Sequence, residues 1–166
     1  MILIRRKSKL SKYLYGRYIH NIDAKGRLSI PAKYRDILAY DLILALGPDE
    51  NLVLYNRDDW DEVIKKYEEQ IDTSDPEGRA FLGMLTDNAC ACEVDSQGRI
   101  VVSPLLRGFA GLTREVVITG RGIKAVIWDK ARYEEINGKI EVDDSATYKD
   151  MADALKKNVS KYKLQF

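Results

Sequence analysis

The order of hydrophobic and polar positions near the start of the chain predicts a β-hairpin followed by a short helix. Apolar side chains stand on both sides of a Gly-containing turn, a pattern typical of strand, tight turn and strand. The apolar positions are Tyr18, Ile19, Ile22, Leu28 and Ile30. Gly26 supplies the positive φ that a short hairpin loop requires. Pro31 fits the start of a helix, because proline lacks the amide hydrogen that a first helical turn leaves unpaired.

The same pattern occurs a second time, 72 residues later. The stretch IDAKGRLSIPAKYR at 22–35 corresponds to VDSQGRIVVSPLLR at 94–107. In the second copy Ser103 is the expected N-cap and Pro104 the first helical residue, so the proline is shifted by one position. The second copy therefore predicts the same hairpin and the same short helix.

The repetition extends beyond these two stretches. Each copy is followed by a strand, a Gly-containing turn, a second strand that ends in an aromatic residue, and a helix with an acidic start. Residues 53–55 correspond to 126–128, and Trp60 corresponds to Tyr133. A unit of about 45 residues buries little apolar surface alone. We therefore expect the two copies to pack on each other about a pseudo-twofold axis, each completing the other's barrel.

The predicted chain organisation has five segments. They are a basic N-terminal arm at 1–15, a first repeat at 16–62, connecting helices at 63–88, a second repeat at 89–136 and a C-terminal tail at 137–166. Asp75 or Ser74 is the expected cap of the connecting helix that has Pro76 in its first turn. The tail contains an amphipathic helix whose apolar face comprises Met151, Leu155, Val159 and Tyr162. Docking of this helix on the core and docking on a neighbouring subunit both fit the pattern.

Charge is distributed unevenly, although the net charge of the 166 residues is only +1. Residues 1–35 hold ten Lys or Arg and one acid and carry +9, whereas the other 131 residues hold 17 basic and 25 acidic residues and carry −8. A strongly basic end favours a polyanionic partner, either nucleic acid or a membrane surface. The arm is a candidate nucleic-acid tail, a disordered solvated extension or the product of an overlong start assignment. Its cations are Arg5, Arg6, Lys7, Lys9 and Lys12.

Metal, disulfide and membrane sites lack the residues that they need. Cys90 and Cys92 lie two apart in a predicted strand, which places both thiols on one face and poorly for a bond to each other. A zinc site would need further ligands, and the one histidine is His20. We expect no metal or cofactor. The N-terminal apolar run is too short for a signal peptide and no segment is long enough for a membrane span, so a cytoplasmic protein without a membrane partner is expected.

Catalysis is not expected either. Asp23 and Asp95 are related by the repeat, like the paired carboxylates of aspartic proteases. Here the glycine comes three residues after each acid, and the opposed arginines would keep both acids ionised. One histidine and no Gly-rich phosphate loop leave no nucleophile with its base. The chain is therefore predicted not to be an enzyme and to have no small-molecule substrate.

The turn of each copy pairs an acid with an arginine four residues later. Asp23 is placed to face Arg27, and Asp95 to face Arg99, as surface clamps worth about 0–1 kcal/mol each. Four cations surround the first turn, namely Lys25, Arg27, Lys33 and Arg35. An exposed tip with such cations suits a DNA groove or a phosphate backbone, and a solvated surface is the alternative.

The second copy carries less charge than the first. Its turn and helix have Gln97 in place of Lys25 and Leu105 in place of Lys33, and keep Arg99 and Arg107. We therefore predict that the first copy makes most of the DNA contact and that the second mainly supports the barrel and the oligomer. The predicted DNA-binding residues are Lys25, Arg27, Lys33, Arg35, Arg17 and Arg99. The predicted structural residues of the motif are Asp23, Gly26, Pro31, Asp95, Gly98 and Arg107.

The repeated motif resembles that of a known bacterial family. Asp-x-x-Gly-Arg-apolar-x-apolar-Pro followed by Lys and Arg, in two copies each trailed by LYNRDDW or IWDKARY, is similar to the MraZ proteins. These belong to the AbrB/SpoVT class of swapped-hairpin DNA-binding barrels. The resemblance covers about residues 14–137. It implies a mostly β fold with short helices, of the α+β class, in which two tandem repeats form a pseudo-twofold swapped-hairpin barrel, with a C-terminal helix added.

The resemblance also implies a function. MraZ proteins are transcriptional regulators that form closed rings and bind short direct repeats upstream of their own operon, a cluster of cell-division and cell-wall genes. The implied partners are double-stranded DNA and further copies of the chain, in the cytoplasm and at the nucleoid. The alternative is an oligomeric interaction module, such as an antitoxin, that uses the same barrel without operator specificity.

Overall fold

The computed structural model describes residues 12–141 and 145–165, except the side chains of 145 and 146. Within these residues there are eight strands and six helices. The strands are β1 (Arg17–Asn21), β2 (Arg27–Ser29), β3 (Asp41–Leu46), β4 (Leu52–Asn56), β5 (Cys90–Glu93), β6 (Arg99–Val101), β7 (Glu115–Arg121) and β8 (Lys124–Asp129). The helices are α1 (Ala32–Leu38), α2 (Arg57–Gln70), α3 (Pro76–Asp87), α4 (Pro104–Phe109), α5 (Lys130–Asn137) and α6 (Ser145–Lys161). Residues 1–11 of the predicted basic arm lie outside the described residues, whereas residues 12–15 lie within them.

The strand order is a palindrome of the two repeats. A six-stranded sheet runs β1-β7-β8-β4-β3-β5, and β2 pairs with β6 in a separate two-stranded ribbon. All of these pairs are antiparallel. If each strand of the first repeat is exchanged with its counterpart in the second, β1 with β5 and β4 with β8 for example, the order becomes β5-β3-β4-β8-β7-β1. This is the same order read from the opposite edge of the sheet. The predicted pseudo-twofold arrangement is confirmed.

The strands on either side of each turn pair across the repeats. β1 lies against β7, with Arg17 opposite Thr119, and β5 lies against β3, with Leu42 opposite Cys92. β2 lies against β6, with Leu28 opposite Ile100. A simple hairpin of β1 with β2 is therefore not formed, and the swapped arrangement implied by the family is. This exchange lets the apolar side chains of both repeats meet in one core.

The core lies between the sheet, the ribbon and the first helix of each repeat. Its largest fully buried side chains include Tyr34, Leu28, Ile100, Leu106 and Ile118. The expected α+β class is confirmed. Among the described residues the eight strands do not close into one barrel, because the three-residue strands β2 and β6 bond only to each other and leave the larger sheet open.

The helix starts follow the predicted proline shift. Pro31 is the N-cap of α1, whereas Pro104 is the first residue of α4 and Ser103 is its N-cap. Ser103 Oγ accepts from the backbone N–H of Leu106 at 3.3 Å. Of the two caps considered for α3, Asp75 is the one present, since its side chain accepts from the N–H of Glu77.

The chain divides into two compact units, one up to Tyr133 and one from Glu134 onward. The second unit contains α6, the predicted amphipathic tail helix, which is 17 residues long. No helix in the described ranges is long and apolar enough to cross a membrane.

The two cysteines are free and half-buried in β5. Burial, with a smaller contribution from Cys90, raises the pKa of the Cys92 thiol to about 12. A thiol with such a pKa stays protonated near neutral pH and is a poor metal ligand. Residues 12–141 and 145–165 contain no group of three or more His, Cys, Asp or Glu that could hold a metal ion.

Candidate nucleic-acid interface

The first Asp-x-x-Gly-Arg turn is closed by its own aspartate. Asp23 Oδ1 accepts from the backbone N–H groups of Lys25 at 3.0 Å and Arg27 at 2.9 Å, and Asp23 Oδ2 accepts from Arg27 Nε at 2.6 Å. The N–H of Gly26 donates to the carbonyl oxygen of Asp23 at 2.9 Å. Gly26 has a φ of +79°, which glycine adopts without the steric cost of a Cβ. The turn thus fixes the Nε edge of the Arg27 guanidinium.

The second turn repeats this geometry atom for atom. Asp95 Oδ1 accepts from the N–H groups of Gln97 at 2.8 Å and Arg99 at 3.0 Å, and Oδ2 accepts from Arg99 Nε at 2.9 Å. Gly98 has a φ of +77°. Both acid–arginine pairs expected from the four-residue spacing are therefore formed, and Gln97 fills the backbone role of Lys25 without its charge.

The hydrogen bonds of the turns lower the pKa of both aspartates. For Asp23 the largest cause is the backbone N–H of Arg27, and the Arg27 side chain adds to the effect. For Asp95 the backbone N–H and the side chain of Arg99 act in the same way. Both carboxylates stay ionised near neutral pH, so each holds its arginine in one orientation.

The two arginines lie on one outward surface of the β2–β6 ribbon. Arg27 is opposite Val101 and Ser29 is opposite Arg99, while Leu28 and Ile100 between them point into the core. Diagonal neighbours on such a pair are about 7–8 Å apart between their Cα atoms. We call the surface formed by Arg27, Ser29, Arg99 and Val101 the ribbon face.

Both guanidinium groups of the ribbon face keep donors for a ligand. Each uses its Nε–H on an aspartate. Among the described residues, the Nη groups of Arg27 and Arg99 donate no hydrogen bond. Four N–H bonds of each guanidinium therefore remain for phosphate oxygens or base edges, which accept in the fork geometry that arginine presents.

Arg35 and Arg107 each lie over the turn of the opposite repeat. The Arg35 guanidinium carbon is 2.6 Å from the position that a Cβ on Gly98 would take. Arg107 Nε is 3.2 Å from the corresponding position at Gly26, and Arg107 Nη1 donates to the carbonyl oxygen of Ala24 at 3.4 Å. We predicted DNA contact for Arg35 and a structural role for Arg107, whereas the fold gives the two residues equivalent positions.

The remaining predicted cations lie on different elements. Lys25 is exposed at the tip of the first turn, next to the ribbon face. Lys33 is exposed in the first turn of α1 and borders a surface cavity with Tyr34. Arg17 begins β1, and its Nη1 donates to the Tyr133 hydroxyl at 3.4 Å. The structure thus brings Lys25 to the ribbon face and leaves Lys33 and Arg17 on other elements.

Sequence reasoning missed Val101 as a member of this surface. Its side chain is 60% exposed beside the two arginines. The signal was present in the alternation of β6, where the buried Ile100 requires its neighbours to point outward. An apolar side chain there offers contact to a methyl group or a sugar, in addition to the polar contacts of the arginines.

A family model described as "MraZ protein, putative antitoxin-like" matches the chain twice, over residues 14–83 and 85–155. The chain belongs to the MraZ family. Each matched MraZ segment contains one of the two Asp-x-x-Gly-Arg turns, so the division agrees with the pseudo-twofold strand order.

Curated MraZ relatives match most of the chain. A "Transcriptional regulator MraZ" of Alkaliphilus oremlandii is 36% identical over 140 residues, covering 84% of this chain and 94% of the relative. One of Nitrosomonas europaea is 38% identical over 134 residues, covering 78% and 86%. One of Thermomicrobium roseum is 42% identical over 113 residues, covering 68% and 79%.

Proposed function

We propose that this MraZ-family chain is a sequence-specific DNA-binding transcriptional regulator and that the ribbon face is its contact with DNA. The observation that carries the proposal is the placement of Arg27 and Arg99 on one outward surface, each held by its own aspartate. The relatives named as transcriptional regulators support the same function. Its site of action would be the cytoplasm, at the nucleoid.

The shape of the ribbon suits the major groove of a duplex. That groove is about 12 Å wide and admits a two-stranded β-ribbon, and arginine binds guanine O6 and N7 there with two hydrogen bonds. In this proposal Arg27 and Arg99 reach base edges, and Lys25 beside them contacts a phosphate. Lys33, Arg35 and Arg17 supply further phosphate contacts from the flanks, which position the protein without reading sequence.

Binding by one copy of the chain is expected to be weak. A few cations support only the micromolar or weaker affinity that is typical of salt-sensitive, non-specific contacts. We propose that several copies form a ring and that their ribbons meet successive short direct repeats upstream of the chain's own gene, in a cluster of division and cell-wall genes. Each further copy then binds at a high effective concentration, so affinity rises without new contacts at any one repeat.

The deciding experiment is a titration of the purified protein against two DNA fragments of equal length. One is the region upstream of its own gene, the other is the same region scrambled, and both are measured at low and at moderate salt. A preference for the native fragment of at least about 10³-fold that survives moderate salt is the expected result. Equal binding to both fragments, lost together as salt rises, would leave only a phosphate patch.

The antitoxin-like wording of the matching family favours one alternative. In it, the same fold binds a protein partner and the ribbon face has no operator. Purification of the chain from its native cell distinguishes the two. A stoichiometric protein partner without nucleic acid supports the alternative, whereas DNA enriched in the upstream region supports the regulator.

A further inference from the structure

A second surface, made of elements other than the ribbon, is an apolar groove between α2 and α3. Its volume is about 410 Å³. Buried side chains of the sheet and of α2 form its floor, namely Val53, Tyr55 and Trp60. Its rim consists of Tyr67, Phe81, Met84 and Phe109, which are 38–48% exposed. Single exposed apolar residues are ordinary, but a contiguous group around a concave floor marks a binding surface.

Aromatic contacts hold this groove in shape. The rings of Tyr55 and Trp60 are 5.6 Å apart between centroids, and those of Tyr67 and Phe81 are 6.4 Å apart. The second contact links α2 to α3, so the groove is formed before any partner arrives. A preformed groove costs less ordering entropy on binding than a flexible one.

The two helices that flank the groove are acidic, and Lys124 is the one charged residue among its described lining residues. α2 contains three basic and six acidic residues, and α3 contains one basic and two acidic residues, so the two helices carry −3 and −1. A partner with an apolar stripe and a net positive charge therefore suits the groove and its flanking helices.

Helix α6 of the same chain has these properties. Its apolar face consists of Met151, Leu155 and Val159, and Tyr162 follows on the same side just after its end. The spacing of three and four residues aligns these side chains in one stripe. Met151, Leu155 and Tyr162 are 51–60% exposed. α6 has four lysines and two aspartates, and thus a charge of +2.

We propose that α6 of one copy binds with its apolar face in the α2–α3 groove of a second copy. This is the helix-in-groove mode of recognition, in which residues at helical spacing anchor in an apolar cleft. Lysines of α6 then lie beside the acidic helices α2 and α3, which sets the orientation of the contact. The inference rests on the self-association in the proposed function and names the two surfaces that produce it.

The first test changes each surface separately. Phe81→Glu places a charge on the groove rim, and Leu155→Glu places one on the apolar face of α6. Leu105→Glu, at an exposed position of α4, is the control. All three positions are 43–59% exposed, so each protomer is expected to keep its fold, which circular dichroism checks. Light scattering should give a lower molar mass for Phe81→Glu and Leu155→Glu, with dissociation constants raised at least roughly tenfold. Leu105→Glu should match the unchanged protein.

Mixing the two defective variants tests whether the contact joins different copies. Phe81→Glu retains an intact α6 and Leu155→Glu retains an intact groove, so an equimolar mixture should form a heterodimer that neither variant forms alone. A mixture that stays monomeric overturns the proposal, as do variants with the mass of the unchanged protein. If the unchanged protein is itself monomeric, the proposed assembly is wrong as well. The DNA titration tests the ribbon face independently of this result.

Discussion

At the scale of single residues, Asp23 and Asp95 act on their arginines. Each carboxylate accepts two backbone N–H groups of the turn and one guanidinium N–H. The carboxylate oxygens therefore accept hydrogen bonds from within the turn and orient the arginine. The Nη–H groups of the guanidinium remain for a ligand. Sequence spacing alone predicted the pair, because four residues across a tight turn bring the two side chains together.

We expect Arg27→Ala to abolish specific binding to the upstream DNA while leaving the fold and the assembly intact. Losing a bidentate contact costs about 1–3 kcal/mol at each ribbon, and the loss is multiplied over the copies that bind together. Fluorescence anisotropy with labelled native and scrambled DNA measures the change.

Arg79→Ala on α3 is the matched control for this experiment. It removes an arginine whose Nη1 donates to the carbonyl oxygens of Thr73 and Ser74, away from the ribbon face. Its DNA affinity should stay within about twofold of the unchanged protein, as expected of a charge that contacts no phosphate. An Arg27→Ala protein that unfolds or dissociates would assign Arg27 a structural role.

Tyr34 gives a second prediction at this scale, for alkaline pH. Its hydroxyl donates to the carbonyl oxygens of Tyr15 at 2.7 Å and Gly16 at 2.9 Å, and burial raises its pKa from 10.0 to about 12. The raised pKa means that its contribution to stability is complete below pH 10 and is lost as the pH rises from 10 to 12.

Tyr34→Phe removes both the hydrogen bonds and this titration. We expect it to lower the free energy of unfolding by about 1 kcal/mol at neutral pH. The gap between the two proteins should narrow between pH 10 and 12, which urea unfolding at a series of pH values measures. A constant gap over that range would show that the pKa of Tyr34 is the same in the folded and the unfolded state.

At the scale of elements, the ribbon explains why a hairpin was the wrong expectation for β1 and β2. The apolar alternation and the glycine turn were identified correctly, but they do not reveal which strand pairs with β1 and which with β2. β2 and β6 are three residues each, and pairing them buries Leu28 against Ile100. That partner lies 72 residues away, beyond the reach of a local pattern.

The crossing of the repeats makes the turn glycines sensitive to a single methyl group. A Cβ on Gly26 would lie 2.5 Å from the backbone oxygen of Val102 in the other repeat. Gly111 is a matched control, since its φ is +59° and a Cβ there meets nothing within 4 Å. Alanine at either site costs about 1–2 kcal/mol for the left-handed backbone.

We therefore expect Gly26→Ala to destabilise the protein more than Gly111→Ala does. The overlap with a backbone oxygen adds about 1–3 kcal/mol, because Val102 directly follows β6 and its N–H donates to the carbonyl oxygen of Gly26 at 2.7 Å, which ties the two backbones together. Thermal unfolding followed by circular dichroism compares the two variants. Equal losses of stability would contradict this expectation, because they would mean that the backbone at Val102 moves away from the new methyl group without a loss of folding free energy.

At the scale of the whole molecule, internal repetition was the most informative property of the sequence. It predicted the pseudo-twofold axis, the helix starts at Pro31 and Pro104, and the equivalence of the turns. It did not predict the open sheet, nor the packing of Arg35 and Arg107 over the opposite turns, because both depend on contacts between repeats. Different roles were predicted for these arginines from their neighbours in sequence, whereas their surroundings in the fold are alike.

The interleaved sheet predicts that half of the chain does not fold as a monomer. A fragment of residues 12–88 contains β1 and β2 but lacks β7 and β6, their partners. We expect it to show no native amide dispersion by NMR at low concentration, and to recover it on addition of residues 89–166. A folded monomer of 12–88 would contradict this expectation.

The palindromic strand order also bears on which DNA sites the proposed regulator can distinguish. Two identical halves would form a symmetric dimer and would suit a DNA site that reads the same on both strands. In this chain the two turns differ, because one has Lys25 where the other has Gln97. The two turns therefore give the chain a polarity that a symmetric dimer of identical halves lacks. In the proposed ring, such polar units arranged in one direction would match the proposed direct repeats, which all have the same orientation.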